Sequence, residues 1–287
     1  MGLRVGVVTD AVSSRFVFPV WHRYYAAQFG AENLFVVTYA GCGAGFRDLR
    51  LGGLIELPVG YEDHTRLAAI TPLVTSLLAC YDVVIRVDAD EFLVVDPRVA
   101  PSLAAFVEAM EQPYLTARGF DVIQLPGEPA LPEGAAGAIL QHRAAAYPNT
   151  ALNKTAIVRT PVAWAAGFHS ASVFPRFGAL FMLHMKRLDI GWQMAWFREM
   201  TDNIAGNPKV EQMFKDYYAP DLARITAYHR DVAVRPHVGG IDAWYRNGLM
   251  REFVENIRFT PGDGIYHSTY GHENVLCEII PEWRALL

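Results

Sequence analysis

Apolar runs that end on polar side chains organise the first hundred residues. "LRVGVVTD", "NLFVVTYA", "GLIELPVG" and "DVVIRVDADE" read as strands. Between them, "FPVWHRYYAAQFG" spreads its aromatics at helical spacing and stops on Gly30, a C-cap residue. "EDHTRLAAITPLVTSLLACY" reads as an amphipathic helix interrupted by Pro72, and "GCGAGF" as a glycine-rich loop. The order is strand, helix, strand, loop, strand, helix, strand. Continuous apolar strands that alternate with helices predict a mainly parallel sheet covered on both faces. Ligands of such sheets bind beyond the carboxyl ends of the strands. Asp10, the Tyr39–Gly45 loop and Asp88 all fall at such ends, so three segments converge on one crevice.

The second half is less regular. "PSLAAFVEAMEQ" is a helix opened by Pro101 and Ser102, and "FDVIQLP" is a strand. Residues 127–149 form an Ala-, Gly- and Pro-rich stretch with the composition of a mobile loop. "KTAIVRTPVAWAAGFHS" and "FGALFMLHMKRLD" contain further strands, and "GWQMAWFREMTDNIAG" opens a helical region that runs to about Tyr228. There is no internal repeat and no linker. The expectation is one α/β domain over 1–287, Rossmann-like in 1–97, with 98–287 facing an acceptor.

Of the 287 residues, 52% are apolar and 19% charged, which places the chain among globular proteins. A net charge of −5 without a Lys/Arg cluster argues against nucleic acid as the main partner. A small anion can still be bound by a few local groups. Cys42, Cys80 and Cys277 are far apart and form no CxxC, which fits a reducing, cytoplasmic compartment and gives no metal motif. Cys80, in an apolar helical pattern, is expected in the core. The N-terminal apolar run is too short for a signal peptide, and no uncharged stretch of about 18 apolar residues suggests a transmembrane helix.

The candidate chemistry begins in "VVIRVDADEFLVVDP", where Asp88, Asp90 and Glu91 crowd together at the end of a buried strand. Holding such like charges ionised is costly unless a cation sits between them. Hard oxygen ligands favour Mg²⁺ or Mn²⁺. A solvated turn would be the bland explanation, but it has no need of apolar flanks on both sides. An EF-hand fails, because Leu93 and Val99 occupy its glycine and glutamate positions. A Walker B strand lacks its partner GxxxxGK[ST] loop. An aspartyl phosphatase would carry the pair after the first strand, where Asp10 stands alone.

Over residues 81–97 the motif "YDVVIRVDADEFLVVDP" resembles the family-2-like branch of the GT-A glycosyltransferases, whose DxDE is followed by Phe or Ile and Leu. The resemblance extends loosely over 1–97 through element order and over 150–190. It implies a GT-A fold and a Mn²⁺ or Mg²⁺ ion, held by Asp88 and Asp90, that bridges the diphosphate of a nucleotide sugar. The donor would be a UDP-sugar. The acceptor would be a glycan, a lipid-linked or another hydroxyl, as in polysaccharide biosynthesis at the inner face of a membrane. It also implies that Thr9 and Asp10 meet the base or ribose.

"LFMLHMKRLD" places His184 at a strand end, with Lys186, Arg187 and Asp189 close behind. Imidazole is a good Mn²⁺ ligand, and the resemblance implies that role for His184. Its bland alternative is a strand-end histidine beside a solvated basic turn. Lys186, Lys154 and Arg66 are candidate cations for the diphosphate, Lys154 and Arg66 being open to a surface reading as well. Glu91 would bond the donor sugar or orient the metal shell. An inverting transfer needs a general base, for which His169, Asp189 and Asp121 are candidates. Asp189 has a competing explanation as a helix N-cap. Trp164, Trp192, Trp196 and Trp244 suit sugar stacking or the core. Two rivals share the acidic site: a metal-dependent nucleotidyltransferase or phosphoryl hydrolase, and a non-catalytic glycan-binding protein.

Overall fold

A computed structural model describes residues 2–132, 139–246 and 248–287. Its strands are β1 (Val5–Asp10), β2 (Leu34–Thr38), β3 (Gly53–Glu56), β4 (Val83–Arg86), β5 (Glu91–Val95), β6 (Tyr114–Ile123), β7 (Ala145–Pro148), β8 (Thr155–Val158), β9 (Phe177–Arg187), β10 (His237–Val238), β11 (Arg258–Thr260), β12 (Ile265–His267) and β13 (Leu276–Glu278). The helices around the site are α1 (Phe18–Phe29), α2 (Asp63–Leu77), α3 (Leu103–Glu108), α4 (Ile190–Ile204), α5 (Gln212–Tyr218) and α6 (Leu222–Ala233).

The α/β order read from the sequence holds for the first four strands, which lie parallel as β3-β2-β1-β4. All six residues of β1 are buried, as an inner strand between two parallel neighbours requires. Beyond β4 the sheet continues through β8, β6, β7 and β13 in antiparallel steps. β9 lies parallel to β6 and antiparallel to β5. β5 grows from the apolar residues directly after the acidic motif, so the motif is a tight corner between two strands.

α1 buries Phe18, Trp21 and Tyr25 on one stripe, consistent with its aromatic spacing. Gly30, at φ 87°, ends it in a conformation that favours glycine. α2 is opened by Glu62, whose carboxylate accepts from the amides of His64 and Thr65 at 2.8 Å each. One apolar core runs from Val5 to Leu287.

Two expectations change. Cys80 is exposed, because α2 has ended before it. The stretch read as a loop over 127–149 contains β7, a fully buried inner strand, as well as a short helical turn at Ile139–His142; its positions 133–138 lie outside the described residues. Trp164, Trp192 and Trp244 are core residues, while Trp196 is half-buried. No helix among the described residues is long and apolar enough to cross a membrane.

Gly119 in β6 marks the closest backbone approach near the sheet's centre. A Cβ there would overlap that of Leu152 and stand 2.5 Å from the Leu152 carbonyl carbon. Gly119→Ala is expected to destabilise the protein by about 1–3 kcal/mol in urea unfolding, because backbone rather than a flexible side chain must yield.

Candidate functional site

β1 and β4 are paired through Val8 and Arg86, so their carboxyl ends emerge side by side. Asp10 Oδ1 accepts from Arg66 Nη2 at 2.9 Å, Arg66 Nε at 3.1 Å and Arg86 Nη2 at 3.2 Å. Its Oδ2 accepts from the Tyr39 hydroxyl at 2.8 Å. Two positions past β4, Asp88 Oδ1 accepts from Arg86 Nη2 at 2.5 Å and also from Arg66 Nη2, while its Oδ2 accepts from Lys154 Nζ at 2.7 Å. Lys154 Nζ also lies 2.6 Å from Glu91 Oε1 as an ion pair. Glu91 Oε2 accepts from the Asp88 amide at 2.9 Å and so closes the corner.

The side chains of Arg66, Arg86 and Lys154 are 6%, 1% and 4% exposed, so these are interior ion pairs. Burial alone would raise the Asp88 carboxyl, but Arg66, Arg86 and Lys154 outweigh it and hold the group well below the usual carboxylate range. Burial also works against the Lys154 ammonium, and Asp88 and Glu91 reverse that. Glu91 is raised, by burial first and by Asp88 second. Arg86 has a further partner: its guanidinium carbon stands 3.4 Å from the centroid of the Phe168 ring, with that of Arg66 at 4.9 Å. Phe168 has φ 60° and follows Gly167 at φ 75°, so a bulky residue is held in the left-handed region beneath two cations.

A second polar chain follows from strand register. Asp121 on β6 and Glu91 on β5 are both direct partners of His184 on β9. Asp121 Oδ1 lies 2.6 Å from His184 Nδ1, and Asp121 Oδ2 accepts from Asn149 Nδ2 at 2.7 Å. This leaves His184 Nε2 facing Asp90 Oδ2 at 3.2 Å. Burial opposes charge on the imidazole, yet Asp90 and Asp121 on its two sides push it up to about 10. Burial raises the Asp90 and Asp121 carboxyls, and His184 brings both below their usual range.

Both clusters line one cavity of about 590 Å³, within the usual size of a small-molecule site. Lys186 lines it too, its ammonium 4.4 Å from the centroid of the Tyr217 ring, 5.1 Å from that of Tyr218 and 5.2 Å from that of Trp196. Burial lowers that ammonium, but Tyr217 and Tyr218 more than compensate and raise it. His169 enters from the Gly167–Phe168 turn and donates from Nδ1 to the Ala151 carbonyl at 2.5 Å, which leaves Nε2 as an acceptor. Burial, then the nearby Lys154 charge, lowers this imidazole to about 3.

Asp10, Arg66, Asp88, Asp90, Glu91, Lys154, His169, His184 and Lys186 are therefore brought together around one space. Two candidates are not. Asp189 caps α4, with Oδ1 accepting from the Trp192 amide at 2.9 Å and Oδ2 from the Leu131 amide at 2.8 Å and Arg143 Nη2 at 3.1 Å. Its acceptor capacity is taken up by the fold and it does not line the cavity, so it is a cap and not a base. Thr9 is wholly buried inside β1, because its neighbour Asp10 takes the cavity-facing side.

Asp88, expected as a metal ligand, has both its oxygens engaged by protein cations. Among the described residues no group of three or more His, Cys, Asp or Glu side chains is arranged to hold a metal. What remains is the facing pair Asp90 and His184, with Asp121 fixing the imidazole from behind. Arg86, Tyr39, Phe168 and Asn149 were not anticipated. Arg86 had a visible signal, a lone charge in an otherwise apolar strand.

No known family model matches the chain, and no curated protein matches it. Among solved structures, a mannose-1-phosphate geranyltransferase from Thermus thermophilus is similar over 76% of this chain and 72% of that one, at 14% identity and a TM-score of 0.33. At that score the likeness decides nothing about chemistry.

Two outcomes follow from the charges. Asp88→Asn removes the anion shared by three buried cations and is expected to cost about 3–5 kcal/mol in denaturant unfolding. A loss below about 1 kcal/mol, the size of an exposed pair, would show that the cluster does not hold the corner. His169 has a folded-state pKa of about 3, below its ordinary 6.5. As pH falls through that window the unfolded chain takes up a proton that the native state refuses, so stability is lost by a few kcal/mol, on the order set by linkage. His169→Asn should flatten that part of a stability–pH curve and leave it unchanged above pH 7.

Proposed function

We propose that the protein is a metal-dependent GT-A-type glycosyltransferase, moving a sugar from a nucleotide-diphosphate donor, a UDP-sugar first, to a hydroxyl acceptor. The observation that carries this reading is the facing pair Asp90 and His184, 3.2 Å apart at the acidic corner, with Asp121 behind the imidazole. A carboxylate behind a histidine fixes the ring and aims its Nε2, and an ion bound between His184 and Asp90 would displace the proton that Nε2 carries in the free protein. Mg²⁺ and Mn²⁺ bind through one or two protein groups when substrate phosphates complete the shell. Asp90 and His184 would hold the ion, which when bound supplies Lewis-acid neutralisation of the leaving diphosphate.

The chain's own residues divide the remaining work. Asp88, with Arg66, Arg86 and Lys154, fixes the shape of the corner. Lys186 presents an ammonium to the cavity, where negative charge on a departing phosphate would meet it. His169 holds Nε2 unprotonated because Nδ1 carries the proton to Ala151, as a general base for an acceptor hydroxyl requires. A pKa of about 3 makes it a weak base in the free protein. Burial is the larger cause of that depression and Lys154 the second, and incoming phosphate charge would offset the part due to Lys154. Glu91 is wholly buried against Lys154 and the Asp88 amide, which favours a part in holding the corner over contact with the donor sugar.

Calorimetry with UDP, with and without Mn²⁺, tests the reading. UDP is expected to bind measurably only with the metal, and Asp90→Asn or His184→Asn should weaken metal-supported binding about 10–100-fold. A donor panel should then show slow sugar release, whereas pyrophosphate release would favour a nucleotidyltransferase. Binding of no nucleoside diphosphate under any metal condition would overturn the proposal.

A further inference from the structure

The end of the cavity away from the acidic corner is walled by hydrocarbon. Along α4, Trp196, Met200 and Ile204 recur at four-residue spacing and all line the space. Val210, just ahead of α5, and Phe214 and Tyr218 on it repeat at the same spacing and line the space as well. Trp196, Val210 and Phe214 pack against a core cluster that includes Met200, Ile204 and Tyr218, yet remain half-buried on the cavity lining. Lys186 stands at the boundary, its ammonium against the Trp196 and Tyr218 rings and its place on β9 two residues from His184, on the same strand face. The apolar chamber therefore opens directly onto the end that would hold the diphosphate.

We infer that this chamber takes the apolar part of the acceptor, which makes the acceptor an alcohol or sugar joined to an alkyl, prenyl or aryl group rather than an all-polar glycan. The inference rests on the glycosyltransferase reading and deepens it. A nucleobase is the competing occupant, but its edges need paired donors and acceptors. Trp196, Met200, Ile204, Val210 and Phe214 offer only ring faces and aliphatic groups, with Lys209 and Glu211 as charged neighbours on the lining. Asp63, which a base could otherwise use, is already engaged by the Tyr61 hydroxyl at 3.0 Å and by Arg66 at 3.4 Å. An apolar tail fills such a chamber by displacing water that has few partners there.

The test uses the full chain with UDP and Mn²⁺ present and a series of alkyl β-glucosides from methyl to octyl, kept below micelle-forming concentrations, with phenyl glucoside as the aryl arm. Affinity is read by calorimetry and tryptophan fluorescence. Binding is expected to tighten about fourfold per methylene over the first several carbons and then level off. Phenyl glucoside binding as well as a hexyl chain would point to an aryl source, and weaker binding to an alkyl or prenyl one; both support the chamber. Phe214→Ser and Val210→Thr, at half-buried positions, should flatten the chain-length dependence while UDP affinity stays within twofold. Affinity indifferent to chain length with UDP binding intact overturns the acceptor assignment alone, as do variants that weaken UDP as much as octyl glucoside. Chain-length dependence in a protein that binds no nucleoside diphosphate overturns the donor reading and the acceptor assignment together.

Discussion

The site depends on one carboxylate held among three cations. Asp88 receives Arg66 from α2, Arg86 from its own strand and Lys154 from the lead-in to β8. Ions taken out of water in this way are unstable alone and stable only together. The cluster therefore fixes the relative positions of the segments that bring it, and the tight corner between β4 and β5 follows. Asp90, on that corner, is turned towards β9, where strand register has set His184 beside Asp121.

This arrangement answers why three acidic residues can share the end of a buried strand. Each has its own counter-charge. Asp88 takes the buried arginines and the lysine, Glu91 shares the lysine, and Asp90 faces the histidine. A metal enters the functional proposal through the one member of the trio whose partner is an imidazole.

Local pattern carried the parallel half of the fold well. β1 to β4 each show a mainly apolar run, and the carboxyl-end residues Asp10 and Asp88 meet on the shared guanidinium of Arg66, as the order of elements requires. The acidic motif and His184 were likewise visible, each as a polar group ending an apolar strand. Other features were not visible, because they are settled by partners far away in sequence. β7 looks like a loop since Ala145, Ala146 and Pro148 carry no strand signal; pairing with β6 and β13 makes it a strand. Asp121 shows its purpose only once β6 lies beside β9. Asp189 stood beside His169 and Asp121 as a candidate base, with a helix cap as its other reading, until the amides around it came into view. Arg66 could be read as a diphosphate cation or as a surface charge, because its partners sit 56 and 22 positions away.

The Phe168 turn shows how tightly backbone and side chain are bound together beside the site. A left-handed backbone at a bulky residue is uphill by about 1–2 kcal/mol, and glycine would relieve it. Yet only an aromatic ring supplies the negative face on which the Arg86 and Arg66 guanidiniums rest. The two demands pull evolution in opposite directions. Leucine would keep the bulk and lose the quadrupole, while glycine would ease the torsion and abandon both arginines. An aromatic ring at this position and the two arginines therefore form one unit, and losing any one of the three removes what the others rest on.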